Sequence, residues 1–170
     1  WCCMPGREFE TVQTLRGEIL ALLERVQELD GKLRTYGAQH PPPGELPEPA
    51  LITCAYLLSL ISRCFEDLFL KVARVFEERV ENLAAVPGEV LERMLIEIAG
   101  VRPRVIGRTA FRLLSELRGF RHVFHSSYLF ELDSEKVRFM LRRWEAGKGG
   151  VRKDLQSFLD GLTLSAAGDS

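Results

Sequence analysis

The sequence predicts an all-α protein, a helical bundle of four to five helices led by one long N-terminal helix. Three observations carry this reading. Leu, Val, Ala, Glu and Arg dominate the composition, runs of β-branched residues are scarce, and the Pro and Gly residues fall in a few clusters that separate long segments. At 170 residues, with 46% hydrophobic and 28% charged side chains, the chain can bury one core but hardly two. One domain is expected overall, with a helical arm over residues 1–40, a Pro-rich loop over 41–49, a bundle over 50–163 and a disordered tail over 164–170.

Each element has its own signal. Val12, Leu15, Ile19, Leu22, Val26, Leu29 and Leu33 alternate spacings of three and four, which is a heptad seam on a long helix. The seam is short for an independent coiled coil and is weakened by Gly17 and Gly31, so this helix reads as one arm of an antiparallel hairpin or as a dimerisation arm. The prolines between His40 and Pro49 end it. A second helix is expected from Glu48 to about Leu83, because Leu51 to Val75 is almost continuously apolar, the mark of the most buried helix of a bundle. Pro87 and Gly88 form a turn, and Glu89 to Ala99 should make a third helix with Val90, Leu91, Met94, Leu95 and Ile98 inward. After a connector from Gly100 to Gly107, a fourth helix is expected from Thr109 to Leu132. A fifth, capped by Asp133 or Ser134, is expected to break into a loop or kink at Gly147 to Gly150 and resume to Leu162. That Gly/Lys cluster lacks the preceding strand and the Lys-Ser or Lys-Thr pair of a phosphate-binding loop.

Charge is unevenly placed. Residues 1–100 carry 10 Lys/Arg against 16 Asp/Glu, and residues 101–170 carry 13 against 8, so a formal charge of −1 hides an acidic and a basic half. The halves either neutralise each other within the bundle or leave the C-terminal one to meet a polyanion. Four cysteines offer no metal or redox logic: Cys2 and Cys3 are adjacent, and Cys54 and Cys64 sit in an apolar helical run that reads as buried thiols. No apolar run reaches the length of a membrane span and no secretory pattern opens the chain, so a cytoplasmic protein is expected, with Met4 as the natural start.

The fourth helix carries the chemistry. Leu113, Leu117, Phe120 and Phe124 fall on one side and should face the core. Arg118, Arg121, His122, His125 and Tyr128 fall within an arc of about 120° on the other, at roughly 100° of rotation per residue. No Glu or Lys occurs between Leu117 and Phe130, unlike a solvated face held by ion pairs. Arginine suits bidentate phosphate contact, and histidine is the side chain whose ordinary pKa lets it take and give a proton near neutrality. Together they fit metal-independent cleavage of RNA: an imidazole draws the 2′-hydroxyl proton, that oxygen attacks the adjacent phosphate, and arginine stabilises the anionic transition state. No carboxylate cluster or Cys/His ligand set accompanies them, so no metal site and no cofactor are expected. Glu66 and Asp67, acids in an apolar context, either face solvent or supply a carboxylate that orients an arginine of this face.

The run Leu117 to Tyr128, followed by Phe130-Glu131-Leu132-Asp133 and preceded by Gly100-Val101-Arg102-Pro103, resembles the core signature of HepT-like toxins of the HEPN superfamily, with looser similarity over Tyr56 to Ala73. The resemblance implies a HEPN-like helical bundle and an endoribonuclease toxin acting as a homodimer on RNA. It also implies an MntA-like nucleotidyltransferase antitoxin that silences the toxin by attaching AMP to a tyrosine just after the motif. The family's motif is an arginine separated by four to six residues from a histidine. Carried over, it makes Arg121 the arginine and Tyr128 the AMPylated tyrosine, and it puts Ser126 at the histidine position, where serine is no base near neutral pH unaided. Arg118 and His125 satisfy the six-residue form, with His122 one turn earlier on the same face. The catalytic set implied is therefore Arg121, His125, His122 and Arg118, with Ser126 and Glu66 in support. The alternatives are a catalytically inactive HEPN-fold dimer that binds RNA or antitoxin, and a structural adaptor that uses the N-terminal heptads.

Overall fold

A computed structural model describes residues 5–39, 46–76, 87–126 and 132–167. Among the described residues five helices follow in order: α1 (Pro5–Gln39), α2 (Glu48–Phe76), α3 (Pro87–Arg93), α4 (Arg108–Ser126) and α5 (Ser134–Ala167). Among the described residues there is no strand, only an isolated bridge between Ile98 and Arg102.

The apolar run of α2 puts it at the centre, where it packs against each of the other four helices. Leu58, Ile61, Leu68 and Val72 are fully buried along it, and Ser59 satisfies its hydroxyl by donating to the Ala55 carbonyl at 2.9 Å. Cys54 and Cys64 are free thiols on this helix, and burial raises the pKa of both. The heptad seam of α1 lies against α2: Leu15, Ile19, Val26, Leu29 and Leu33 are buried, with Val12 and Leu22 partly so. Lys71 donates to Glu18 at 2.6 Å, and Arg25 acts on the Cys64 thiol, so the two helices run antiparallel. The arm is thus one half of a hairpin. Pro49, placed in the loop by the sequence, sits in the first turn of α2, where its missing N–H costs nothing.

Two expectations are corrected. The third helix ends at Arg93 rather than Ala99, because other donors take its last carbonyls. The buried Arg102 guanidinium donates to the carbonyls of Arg93 and Ile96, both at 3.0 Å, and the N–H groups of Val105 and Ile106 share the Met94 carbonyl. Gly100, at φ 73°, makes the turn that brings Arg102 back. The Gly147 to Gly150 cluster, in turn, neither loops nor breaks the helix, since α5 continues through it and on to Ala167. It therefore includes residues 164–167, which the sequence assigned to a tail. Close approach explains Gly147: a Cβ there would stand 2.6 Å from Leu113 Cδ2. Lys148 is held by Asp30 of α1 at 2.9 Å, and Trp144 donates its indole N–H to the same carboxylate at 2.8 Å. The expected ends of the second and fourth helices, Glu77 to Leu83 and Ser127 to Glu131, lie outside the described residues, and Leu132, expected to close the fourth helix, is not helical.

Helices α4 and α5 run antiparallel, tied by Arg143 to Glu116 at 2.7 Å and by Asp154, which accepts from the Gly107 N–H at 2.7 Å. At the other end Asp133 caps α5, its Oδ1 accepting from the N–H groups of Glu135 and Lys136 at 3.1 and 3.2 Å. Among the described residues no helix is long and apolar enough to cross a membrane.

The glycines of α5 give the first test. Gly147→Ala forces the buried Leu113 to move and should lower Tm, the overpacking costing about 1–3 kcal/mol. Gly150→Ala, with nothing within 4 Å of its added Cβ, should raise stability by about 0.5–1 kcal/mol; equal responses in thermal melts would refute the close contact. Asp133 gives a second. The backbone N–H of Lys136 lowers its carboxyl pKa, so its contribution is present at neutral pH and lost as pH falls through the lowered folded-state value. Asp133→Asn keeps a capping side chain, and the Tm difference between the two proteins should shrink on acidification.

Candidate active site on helix α4

The last two turns of α4 divide the expected residues between two environments. Phe120 and Phe124 turn to the core, half-buried rather than fully so, with nearly parallel rings at a centroid distance of 6.3 Å. Arg118 and Arg121 are half-buried, and His122, His125 and Ser126 are exposed. The wheel puts Arg118, Arg121, His122 and His125 on one side of the helix; the tertiary fold then presses the arginines against other helices and leaves the imidazoles to solvent.

Glu66 of α2 accepts from Arg121 Nη2 with both carboxylate oxygens, at 2.8 and 2.6 Å. The two side chains are 22% and 26% exposed, too buried for either charge to be left alone cheaply. Because a single nitrogen serves both oxygens, the contact is not the parallel fork that arginine can make. Arg121 Nε is buried without a hydrogen-bond partner. Glu66 therefore fixes where the guanidinium sits without exhausting its donors. Asp67, the neighbouring acid, is exposed.

Arg118 lies one turn earlier, and no ion pair holds it among the described residues. Its guanidinium rests on the backbone at the start of α3, where a Cβ added to Gly88 would come within 2.7 Å of Nη1. Sequence reasoning placed Gly88 only in a turn, and its contact with Arg118 is invisible to periodicity because it joins two helices through tertiary packing. The His125 ring meets Phe124 edge-on at 5.7 Å. Ser126 donates its hydroxyl to the His122 carbonyl at 2.8 Å, the local backbone bond that serine commonly makes within a helix. Tyr128, expected on the same arc, lies outside the described residues. What the described residues bring together is thus one paired arginine, one arginine without an ion pair and two exposed imidazoles on two turns of one helix.

The pairing predicts an asymmetry between two substitutions. Glu66→Gln leaves the half-buried Arg121 short of its counter-charge and should cost about 1–3 kcal/mol in denaturant unfolding. Gly88→Ala displaces only the far end of the flexible Arg118 side chain and should leave Tm within about 0.5 kcal/mol of the parent. A large loss at Gly88 would mean that Arg118 cannot swing aside.

The chain was also compared with known proteins. No curated protein and no solved structure matches it. A family model described as HepT-like protein matches residues 53–162, which take in most of α2, all of α3 and α4, and α5 as far as Leu162. The matched segment contains both partners of the Arg121–Glu66 pair and both exposed histidines. The match covers well over half of the chain, and the protein accordingly belongs to the HepT-like family of the HEPN superfamily, a family associated with toxin–antitoxin systems.

Proposed function

We propose that this protein is the toxin of a toxin–antitoxin pair, a metal-independent endoribonuclease that cleaves RNA at the α4 face. The observation that carries the reading is the fixed Arg121, held by Glu66 at 2.6 Å, beside Arg118 and below two exposed imidazoles. His125 takes the proton of a ribose 2′-hydroxyl, and the freed oxygen attacks the adjacent phosphorus. The bond to the 5′ oxygen breaks, leaving a 2′,3′-cyclic phosphate, and His122 in its protonated form supports the departure of that oxygen. Arg118 and Arg121 hold the phosphate as negative charge builds on its oxygens. Helix α4 offers one such face per chain, and the family's homodimeric arrangement sets two of them against each other. An MntA-like nucleotidyltransferase is the proposed antitoxin, silencing the toxin by transferring AMP to Tyr128.

A second reading has one observation in its favour. Ser126 stands where the family motif has histidine, and its hydroxyl is committed to the His122 carbonyl. On that reading the chain is an inactive HEPN-fold dimer that binds RNA or the antitoxin.

Two substitutions separate the readings. Replacing His125 by Ala should abolish RNA cleavage in vitro and growth inhibition on expression, a loss of about 10²-fold or more for a proton-transfer residue. Undiminished cleavage removes His125 from the reaction. Ser126→His should add little to an active parent; activity that appears only in the Ser126→His protein establishes the second reading.

A further inference from the structure

A cavity of about 130 Å³ opens between α2, α3 and α4 beside the candidate active site. Phe65, Phe69, Leu91 and Leu114 are among its buried walls; of its charged lining, Glu66 is already engaged by Arg121, which leaves the exposed Asp67 and the half-exposed Arg118 at the mouth. The volume is well below the roughly 300–1,000 Å³ of sites for drug-sized ligands. Its occupant is therefore small, and the shape of the chemistry says more. Two aromatic rings and four aliphatic side chains suit a flat apolar body. Asp67 only accepts hydrogen bonds and Arg118 only donates them, so the mouth suits a body whose edge offers a donor and an acceptor side by side.

From these features we infer that the cavity is a nucleobase subsite, taking a base with an exocyclic amino group next to a ring acceptor. The inference rests on the ribonuclease reading above and deepens it: the reaction at ribose and phosphate leaves the attached base to be housed nearby, and Arg118 belongs both to the phosphate-facing set and to the mouth of the cavity. The amino group donates to Asp67, and the ring nitrogen accepts from Arg118. Such edge contacts discriminate between bases, as a carboxylate accepting from an amino group does in nucleic-acid grooves. Adenine meets the requirement. Uracil, with no amino group, does not.

Cavity filling provides the test, because it separates fold from ligand. Val90 and Ser62 are buried and line the same cavity, so Val90→Phe and Ser62→Leu occupy it from two different helices. Binding of adenosine 3′-monophosphate and uridine 3′-monophosphate is measured by calorimetry on the full chain, with thermal melts in parallel and cleavage of adenine-rich and uracil-rich oligoribonucleotides scored separately. The parent should prefer the adenine nucleotide by about tenfold. Either filled variant that melts at or above the parent temperature should lose that preference. Equal binding of the two nucleotides by the parent overturns the subsite, as does a preference that survives filling. A filled variant that changes only the oligomeric state also overturns it, since the cavity then receives a second copy of the chain. A parent that cleaves no RNA yet shows a filling-sensitive preference sinks the ribonuclease reading alone.

Discussion

Helix α2 carries an apolar face that covers most of its circumference, and this single constraint organises the rest of the molecule. A stripe through Ile52, Tyr56, Arg63, Asp67 and Arg74 meets water; the rest must be covered, with each large apolar side chain contributing about 1.5–3 kcal/mol on full burial. The other helices close around it, α1 along one side, α4 with α3 on another, and α5 reaching it through Trp144 and Phe65, whose rings stand 6.0 Å apart. Glu66 is a charged residue at the edge of the covered surface. It sits at the seam between α2 and α4, and its carboxylate finds there the guanidinium that the last turns of α4 supply.

The candidate site is a consequence of that seam. Arg121 is positioned by an acid on the central helix, and Arg118 by the small Gly88 at the start of α3. Neither histidine is gripped in the same way. The arrangement thus sets one carboxylate-held cation and a second arginine beside two solvent-exposed imidazoles, which is what the proposed reaction would need to hold phosphate while a proton moves. Holding an ion in place before the reaction begins is what makes its charge effective in the transition state.

Much of the fold was legible from periodicity. The heptads of α1 identified its buried seam residue by residue, and the absence of Gly and Pro from Leu51 to Val75 marked the central helix. Of the candidate site, the sequence showed which residues share a face of α4, Arg118, Arg121, His122 and His125, and offered Glu66 and Asp67 as two acids either of which could meet an arginine; the fold pairs Glu66 with Arg121. What stayed hidden depends on contacts between distant segments. Glycines read as helix breakers proved to be helical, because at Gly147 the missing side chain admits Leu113, and local propensity carries no information about such a neighbour. The early end of α3 is similar. Arg102 reads as part of a connector, and only the tertiary fold shows its guanidinium closing the carbonyls of the helix before it.

The pairing of α1 with α2 also bears on where the folding unit begins. The family match starts at residue 53, inside α2, and leaves α1 outside it. Yet Leu15, Ile19, Val26, Leu29 and Leu33 are as buried as the residues within the match, and Asp30 reaches across to Trp144 and Lys148 of α5. A fragment cut to the matched segment would expose an apolar side of its central helix, strand the Trp144 indole N–H without its acceptor and leave Lys148 with Glu145 alone of its two carboxylate partners. The arm is therefore a wall of this protein's interior, and the unit that folds is larger than the unit that similarity delineates.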